Sequence, residues 1–465
     1  MLYMIILHLT SFVKSFILVI SYKYKENVKE GTPGEGIGTP WLFFVSAAKQ
    51  ARYGLKHKFY HIESCMSFWS LKNTLTVEQR RIFVETAKER EGKAPLSDKK
   101  YTTRDFGNIY RMIYQKKQSS RQQIAEQLGI SLPTVTQNLK LLNESGLICK
   151  GGVFQSTGGR KANSFQFVPD ARYALGIDIT QNHLSIVLIN LNLDLMDSRR
   201  MRRAFEDTGS YYQSLAAEVE AFLKERDLDM EKLLGVGISL PAIIEEDQKT
   251  ISYATVIQIS GSIYEHIRTY LPYPFLLFND ASSAGLAESW LLKSSNPIVY
   301  LLLSNSVGGS LTIEGKIFKG VNARASEFGH MCIVPHGKRC YCGCYGCLDA
   351  YCSAKNLSDF TDGNLEAFFD KLSSGNLGYR RIFDEYMDDL AVAVNNLRMC
   401  YDCDVILGGT VGSHMAEYIK QFRRKAAALN PFETSGDYIK SCHYRTEASA
   451  VGAAAHYIHQ FIESL

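Results

Sequence analysis

From residue 173 onward, short apolar runs bounded by turn-forming residues alternate with longer stretches of helical spacing. The segment Tyr173-Ala-Leu-Gly-Ile-Asp178-Ile-Thr180 and residues 184–191 read as two strands, joined at the turn-prone Gln181-Asn182-His183. Strand-like runs recur at 233–239, 275–278, 298–303 and 405–407, and helical stretches fall at 211–224, 281–292, 379–398 and 448–462. Strands alternating with helices predict an α/β architecture.

Upstream, between residues 119 and 167, the pattern changes. Ile124, Ala125 and Leu128 share one helical face, Gly129-Ile130 makes a turn, and Ser131 can cap a second helix with Pro133 in its first turn. In that second helix Val135, Leu139 and Leu142 form the buried side, while Thr134, Thr136, Gln137 and Lys140 lie opposite. The glycine-tipped segment 151–161 reads as a β-ribbon wing carrying Arg160 and Lys161. The order helix, turn, helix, ribbon predicts a winged helix-turn-helix over residues 101–168 that enters the major groove of double-stranded DNA. Thr134, Thr136 and Lys140 suit phosphate contacts, Gln137 can read a base edge, and Arg160 can reach into a minor groove.

Charge supports that assignment. The chain carries a formal net charge of +4, yet residues 98–161 alone hold 11 Lys/Arg against 4 Asp/Glu. Positive charge is therefore concentrated where a phosphate backbone would lie. At 465 residues and 46% hydrophobic content there is room for two or three domains with sizeable cores.

Cysteine is clustered too: six of the 11 fall between Cys332 and Cys352. The stretch Glu327-Phe-Gly-His330 is followed by Cys340-Tyr-Cys342-Gly-Cys-Tyr-Gly346-Cys347-Leu-Asp349, so an imidazole and several thiols share one glycine-punctuated loop. Such a loop can close a tetrahedral shell around a structural zinc, and the clustering fits a metal loop in a reducing cytoplasm better than a disulfide framework. The alternative is a set of buried or redox-active cysteines.

These motifs resemble the ROK family of sugar-responsive repressors and sugar kinases, whose pattern pairs Glu-x-Gly-His with Cys-x-Cys-Gly-x-x-Gly-Cys-Leu-Glu. Asp349 stands where the final Glu belongs. The resemblance covers residues 104 to 465 and implies a two-lobed actin-like, ribonuclease-H-like domain over residues 171–465. It also implies that His330, Cys340, Cys342 and Cys347 hold zinc, and that Asn279, Asp280, Glu327, His330 and Asp349 face a sugar. Cys344 and Cys352 are not ligands in the family pattern.

In the family's kinases the residue at Asp280 is the catalytic base. On spacing alone the reading of this Asp as a helix N-cap would win, and it is the resemblance that favours sugar contact. The kinases also require glycines in two phosphate loops, because nucleotide phosphates approach the backbone too closely for a Cβ. Here those loops read Asp178-Ile-Thr180 and Ser304-Asn-Ser306-Val-Gly308-Gly309, while Gly408-Gly409 keeps the nucleotide-side pair. The expectation is a sensor with a vestigial base at Asp280: a regulator, in repressor form, of carbohydrate-utilisation genes. It would bind operator DNA and a sugar or sugar phosphate, and act in the cytoplasm as a homo-oligomer, dimer or tetramer. The competing expectation is an ATP-dependent sugar kinase with an appended DNA-binding domain.

Residues 1–100 are left unassigned as an extension and linker. The apolar stretch 2–22 contains Lys14 near its middle, which costs about 3 kcal/mol at a bilayer centre, so an over-extended start fits it better than a membrane span.

Overall fold

The computed structural model describes residues 104–153, 163–226, 228–259, 261–292 and 295–465. The extension at 1–100, with its apolar stretch, and the wing residues Arg160 and Lys161 lie outside the described residues. No helix among the described residues is long and apolar enough to cross a membrane.

The helix-turn-helix forms as its caps predict. Helix α1 (Arg104–Lys116), not anticipated from sequence, buries Phe106, Ile109, Tyr110 and Ile113. A short strand, β1 (Gln118–Ser120), leads into α2 (Arg121–Leu128), where the Ser120 side chain and Gln123 form a reciprocal capping box. Ser131 then caps α3 (Leu132–Glu144), which buries Val135, Leu139 and Leu142. Strands β2 (Ile148–Val153) and β3 (Asn163–Phe167) form the antiparallel ribbon, and β1 pairs with β3 to complete a three-stranded sheet.

The remainder is built as two lobes with the same strand pattern. In the first, β4 (Tyr173–Ile179), β5 (His183–Asn190) and β6 (Leu195–Arg202) make an antiparallel meander. Helix α4 (Gly209–Lys224) follows, then β7 (Leu233–Leu240) adds parallel to β4. A hairpin of β8 (Ala242–Ile244) and β9 (Ile251–Ala254) and helix α5 (Ile263–Tyr270) precede β10 (Phe275–Asn279), which adds parallel to β7.

Helix α6 (Asp280–Leu292) leads to the second lobe, where β11 (Ile298–Leu303), β12 (Val307–Ile313) and β13 (Lys316–Ile317) repeat the meander. Helices α7 (Leu365–Ser373) and α8 (Leu377–Tyr401) intervene before β14 (Asp404–Gly408). Helix α9 (Met415–Leu429) then precedes β15 (Ile439–Ser441), so that β14 and β15 extend the sheet in parallel. This is the two-lobed architecture the resemblance implies.

Helix α10 (Ala448–Ser464) packs on β4, β5 and β7 of the first lobe, and α6 packs on β11 and β12 of the second. The two helices cross between the sheets. The approach is backbone to backbone. A Cβ on Gly237 would stand 2.1 Å from the carbonyl oxygen of Ala453, and one on Gly452 would stand 1.8 Å from that of Ser283. Neither neighbour is a flexible side chain that could swing away.

Gly237→Ala should therefore lift α10 from the sheet, with a loss of about 2 kcal/mol or more. That corresponds to a melting temperature lower by about 3 °C. Urea unfolding indistinguishable from the parent would contradict this account of the interlobe packing.

Candidate functional site

The cysteine loop is folded by its own backbone. Ile333 N–H donates to Gly346, Gly346 N–H to Lys338, Cys340 N–H to Cys344 and Leu348 N–H to Met331, each at 2.8 Å. These bonds bring one nitrogen of His330 and the sulfurs of Cys340, Cys342 and Cys347 within 4.8 Å of one another. Cys342 Sγ lies 3.8 Å from Cys347 Sγ, and Cys340 Sγ lies 3.9 Å from His330 Nδ1. Ligands about 2.0–2.3 Å from a tetrahedral ion stand roughly 3.3–3.8 Å apart, so the spacing suits an ion and is far too long for a disulfide. Cys344 is exposed and outside the cluster, while Cys352 is buried beneath it and donates to the carbonyl of Tyr386. The other imidazole nitrogen, Nε2, lies 3.3 Å from the hydroxyl of Tyr341, a residue that sequence reasoning passed over.

Asn279 and Asp280 divide the two roles that the sequence left open. Asn279 Oδ1 accepts the N–H of Ser282 at 2.9 Å and so caps α6, while its amide donates to the carbonyl of Ala242. The N-cap is Asn279. Asp280 accepts the N–H of Ala281 at 2.8 Å and opens on a cleft beside Asp178. Asp178 is buried and accepts the hydroxyl proton of Ser239.

Burial, and then the charges of Asp178 and Glu327, push Asp280 up to about 7; burial pushes Asp178 up to about 6. Asp349 sits in a single helical turn, Asp349–Cys352, two residues after Cys347, and accepts the N–H of Val307 at 2.6 Å. Burial raises its carboxyl as well, against the opposing pull of the Val307 N–H and then of His330.

Two cavities meet this region. A small one of about 90 Å³ is lined by Asp178, Thr180, Asp280, Ser304 to Ser306 and Gly409-Thr410, so the loops that resemble phosphate loops do converge. Thr180 closes its own turn, its hydroxyl accepting the N–H of His183 at 3.0 Å. Gly308 and Gly309, read from sequence as part of a loop, lie in strand β12, which leaves only a tight Ser304–Ser306 connection. A larger cavity of about 560 Å³ takes Asn279 and Glu327 at one end and runs past Trp290 and Phe318 to His459 on α10. His330 and Asp349 line neither cavity.

On the DNA side, Thr136, Gln137 and Lys140 are exposed on α3 and Thr134 is half-buried. Thr136 bonds back to the carbonyl of Leu132, and Lys140 makes a loose, exposed pair with Glu144 at 3.8 Å, worth little in water. Both side chains can reorient toward a phosphate. The domain is tied to the rest of the protein through Arg111 of α1, which donates to the carbonyls of Ile462 and Glu463 at the end of α10.

The carboxylates Asp178 and Asp280 have a pH consequence. Their folded-state values lie above the unfolded value of about 3.9, so the folded protein holds the extra protons. The associated stability is complete below about pH 4 and drains away as pH rises through about 6 to 7. The melting temperature should fall between pH 5 and pH 8. Asp280→Asn should flatten the fall, by about 4 °C or more at pH 8. Parallel profiles for the two proteins would refute this.

Comparison with known proteins agrees with the geometry. The chain matches the ROK family over residues 174–460 and a winged helix-turn-helix DNA-binding family over residues 107–148. It is 26% identical to the xylose repressor of Bacillus subtilis (strain 168) over 244 residues, 51% of this chain and 62% of that protein. It is 27% identical to the DNA-binding transcriptional dual regulator NagC of Escherichia coli (strain K12) over 244 residues, 52% of this chain and 60% of that protein. The chain thus spans about three fifths of the length of these relatives.

In three dimensions it resembles a ROK family transcriptional regulator homologous to the E. coli MLC protein. The TM-score is 0.59 at 19% identity, over 77% of this chain and 96% of that one. It also resembles a ROK glucokinase from Streptomyces griseus, solved with glucose and AMPPNP, with a TM-score of 0.51 at 20% identity over 61% and 98% of the two chains. Likeness at this identity concerns the fold alone. The sequence match, by contrast, runs through both lobes and the cysteine loop, and by it the chain belongs to the ROK family.

Proposed function

We propose that the protein is a sugar-responsive transcription regulator, in repressor form, acting on carbohydrate-utilisation genes in the cytoplasm. Helix α3 reads operator DNA through Thr134, Thr136, Gln137 and Lys140, with Arg160 and Lys161 of the wing. A sugar or sugar phosphate is recognised by Asn279, Asp280 and Glu327, which line the cavities. His330 and Asp349, expected from the resemblance to face the sugar, line neither cavity and instead hold the adjoining loop. The relatives' names point the same way. The observation that carries the reading is the Arg111 contact: the DNA-reading domain rests on the helix whose other turns line both cavities.

Zinc fits the cluster of His330, Cys340, Cys342 and Cys347, because three thiolates and an imidazole with no open position suit a closed structural site. Its contribution when bound is to fix the loop that ends in Asp349. Dimers or tetramers would present paired reading heads to a two-fold operator. Asp280 then serves recognition rather than proton abstraction.

The second reading is a working ROK sugar kinase with an appended DNA-binding domain. It is favoured by Gly408-Gly409 and by a carboxylate at Asp280 of the right type for a base. Against it stand Thr180 and Ser304-Asn305-Ser306, side chains where a nucleotide's phosphates need bare backbone. ATP with a panel of hexoses separates the two: Asp280-dependent transfer of phosphate to a sugar would establish the kinase.

Elemental analysis should find about one zinc per chain. Cys342→Ser should lose the metal and the sugar response together. A metal-free protein that still answers to sugar would remove zinc from the scheme.

DNA affinity should fall steeply with salt. Gln137→Ala should relax preference at one base pair, at a cost of about 1–3 kcal/mol, whereas Lys140→Ala should weaken all sequences alike. Equal affinity for the protein's own promoter region and random duplex, with or without sugar, would end the regulator reading.

A further inference from the structure

The cluster of His330, Cys340, Cys342 and Cys347 leaves one thiol beside it unused. Cys332 is exposed, and its sulfur makes only a weak contact, 3.8 Å from the carbonyl oxygen of Tyr345. Nothing near Cys332 in the chain explains a cysteine there. The folded loop does.

Cys332 and Cys347 stand directly opposite each other across a short antiparallel bridge. The flanking bonds fix its register: Ile333 N–H donates to the carbonyl of Gly346 and Leu348 N–H to that of Met331, each at 2.8 Å. A pair enclosed in this way is the non-hydrogen-bonded kind. Its side chains leave the same face, and its α-carbons stand about 4.5 Å apart, the closest approach an antiparallel pair offers. Disulfides span α-carbons roughly 4.4–6.8 Å apart, so the backbone already has the right separation. Gly346 clears the space between: a Cβ on it would stand 3.0 Å from the sulfur of Cys332. Cys344, the loop's other exposed thiol outside the cluster, has no cysteine opposite it, because the second bridge of the loop pairs Arg339 with Tyr345.

Cys347 therefore has two uses that exclude each other. A thiolate is the form that binds metal, and a sulfur bonded to Cys332 is no longer a thiolate. Exposure sets the order of events. Cys347 is 2% exposed, whereas Cys332 faces solvent, so a dissolved oxidant meets Cys332 first.

We propose that Cys332 and Cys347 are a modification site, a reversible disulfide formed under peroxide that takes Cys347 out of the metal cluster. The Cys332 sulfur attacks one peroxide oxygen and the O–O bond breaks. The other oxygen leaves as water with the thiol proton, and Cys332 is left as a sulfenic acid. The Cys347 thiolate then attacks that sulfur, the S–S bond forms, and the hydroxide takes a proton from solvent and leaves as water. Two sulfurs give up two electrons in all, and one peroxide becomes two waters. This rests on the zinc reading above and adds a redox input to it. The segment after Cys347 holds both ends of the Ser304–Ser306 turn, through Asp349 and Ala354, so losing the anchor reaches the small cleft.

The test treats the full chain with hydrogen peroxide. Peptide mapping by mass spectrometry, with free thiols blocked before digestion, should find Cys332 joined to Cys347. A chromogenic chelator should report about one zinc released per chain, and dithiothreitol with added zinc should restore the starting state. Cys332→Ser removes no ligand: it should bind zinc like the parent and release it to peroxide at least about tenfold more slowly. Cys344→Ser should behave as the parent throughout.

Zinc release from Cys332→Ser as fast as from the parent, or a map joining Cys347 to Cys340 or Cys342 instead, would overturn the assignment. So would Cys332 oxidised to a sulfinic acid with the zinc retained. Protein purified without metal would strike the zinc reading, and the map would then decide the pairing alone. A mapped Cys332–Cys347 bond in protein that still answers to sugar would establish the disulfide and cut the link between cluster and sensor.

Discussion

Two helices meeting without an intervening side-chain layer hold this structure together. Helix α10 lies on the first sheet because Gly237 and its neighbours present bare backbone, and it crosses α6 because Gly452 does the same. Dispersion contacts at such short range are lost steeply with separation, so the crossing has one well-defined geometry rather than a continuum. Since α6 packs on the second sheet, the crossing is also what sets the lobes against each other. Glu288 of α6 reinforces it: its buried carboxylate accepts the N–H groups of His443 and Tyr444, in the turn that leads to α10. Removing that carboxylate would strand one buried donor, the Tyr444 N–H, and a part-buried one, the His443 N–H.

Several candidate residues are referred to this crossing. Asn279 and Asp280 open α6, Ser449 begins α10 beside the small cleft, His459 lines the larger cavity, and the last turn of α10 accepts from Arg111 of the helix-turn-helix. A ligand that binds unequally to two settings of the lobes would therefore act on the same pair of helices that carries the winged helix-turn-helix. Such coupling requires differential affinity, of about 1–3 kcal/mol for typical regulators, and no wire of side chains beyond the helix itself.

The parts of this molecule legible from sequence are those written in local chemistry. The caps Ser120 and Ser131, the continuous apolar runs of β4, β5, β7 and β11, and the spacing of the cysteine loop each depend on residues close together in the chain. Strand β6 was not legible: it is an edge strand whose sequence, Leu-Met-Asp-Ser-Arg-Arg-Met-Arg, is mostly polar and exposed. Nor was β12, whose Gly308 and Gly309 suggest a loop until β11 and β13 are seen on either side. In the cleft, Asp178, Arg200, Asp280 and Arg445 come from four distant segments, and only the folded chain brings them together. The cap was misplaced by one residue: the sequence reading offered Asp280, whereas Asn279 accepts the Ser282 N–H.

The cysteine loop and the cleft are linked by a short path of hydrogen bonds. Cys347 leads into the helical turn that begins at Asp349, and Leu348 is bonded back to Met331 beside His330. Asp349 accepts from the N–H of Val307, and the N–H of Ala354 donates to the carbonyl of Ser304 at 2.7 Å. The tight turn Ser304–Ser306 is thus gripped at both ends by the segment that the cysteines anchor. Ser304 in turn accepts the N–H of Thr410. A cluster that lines neither cavity is thus bonded to two walls of the smaller one. A metal held there would act on the cleft through position alone: a short turn between two strands has little core of its own, and its place must be borrowed from a rigid neighbour.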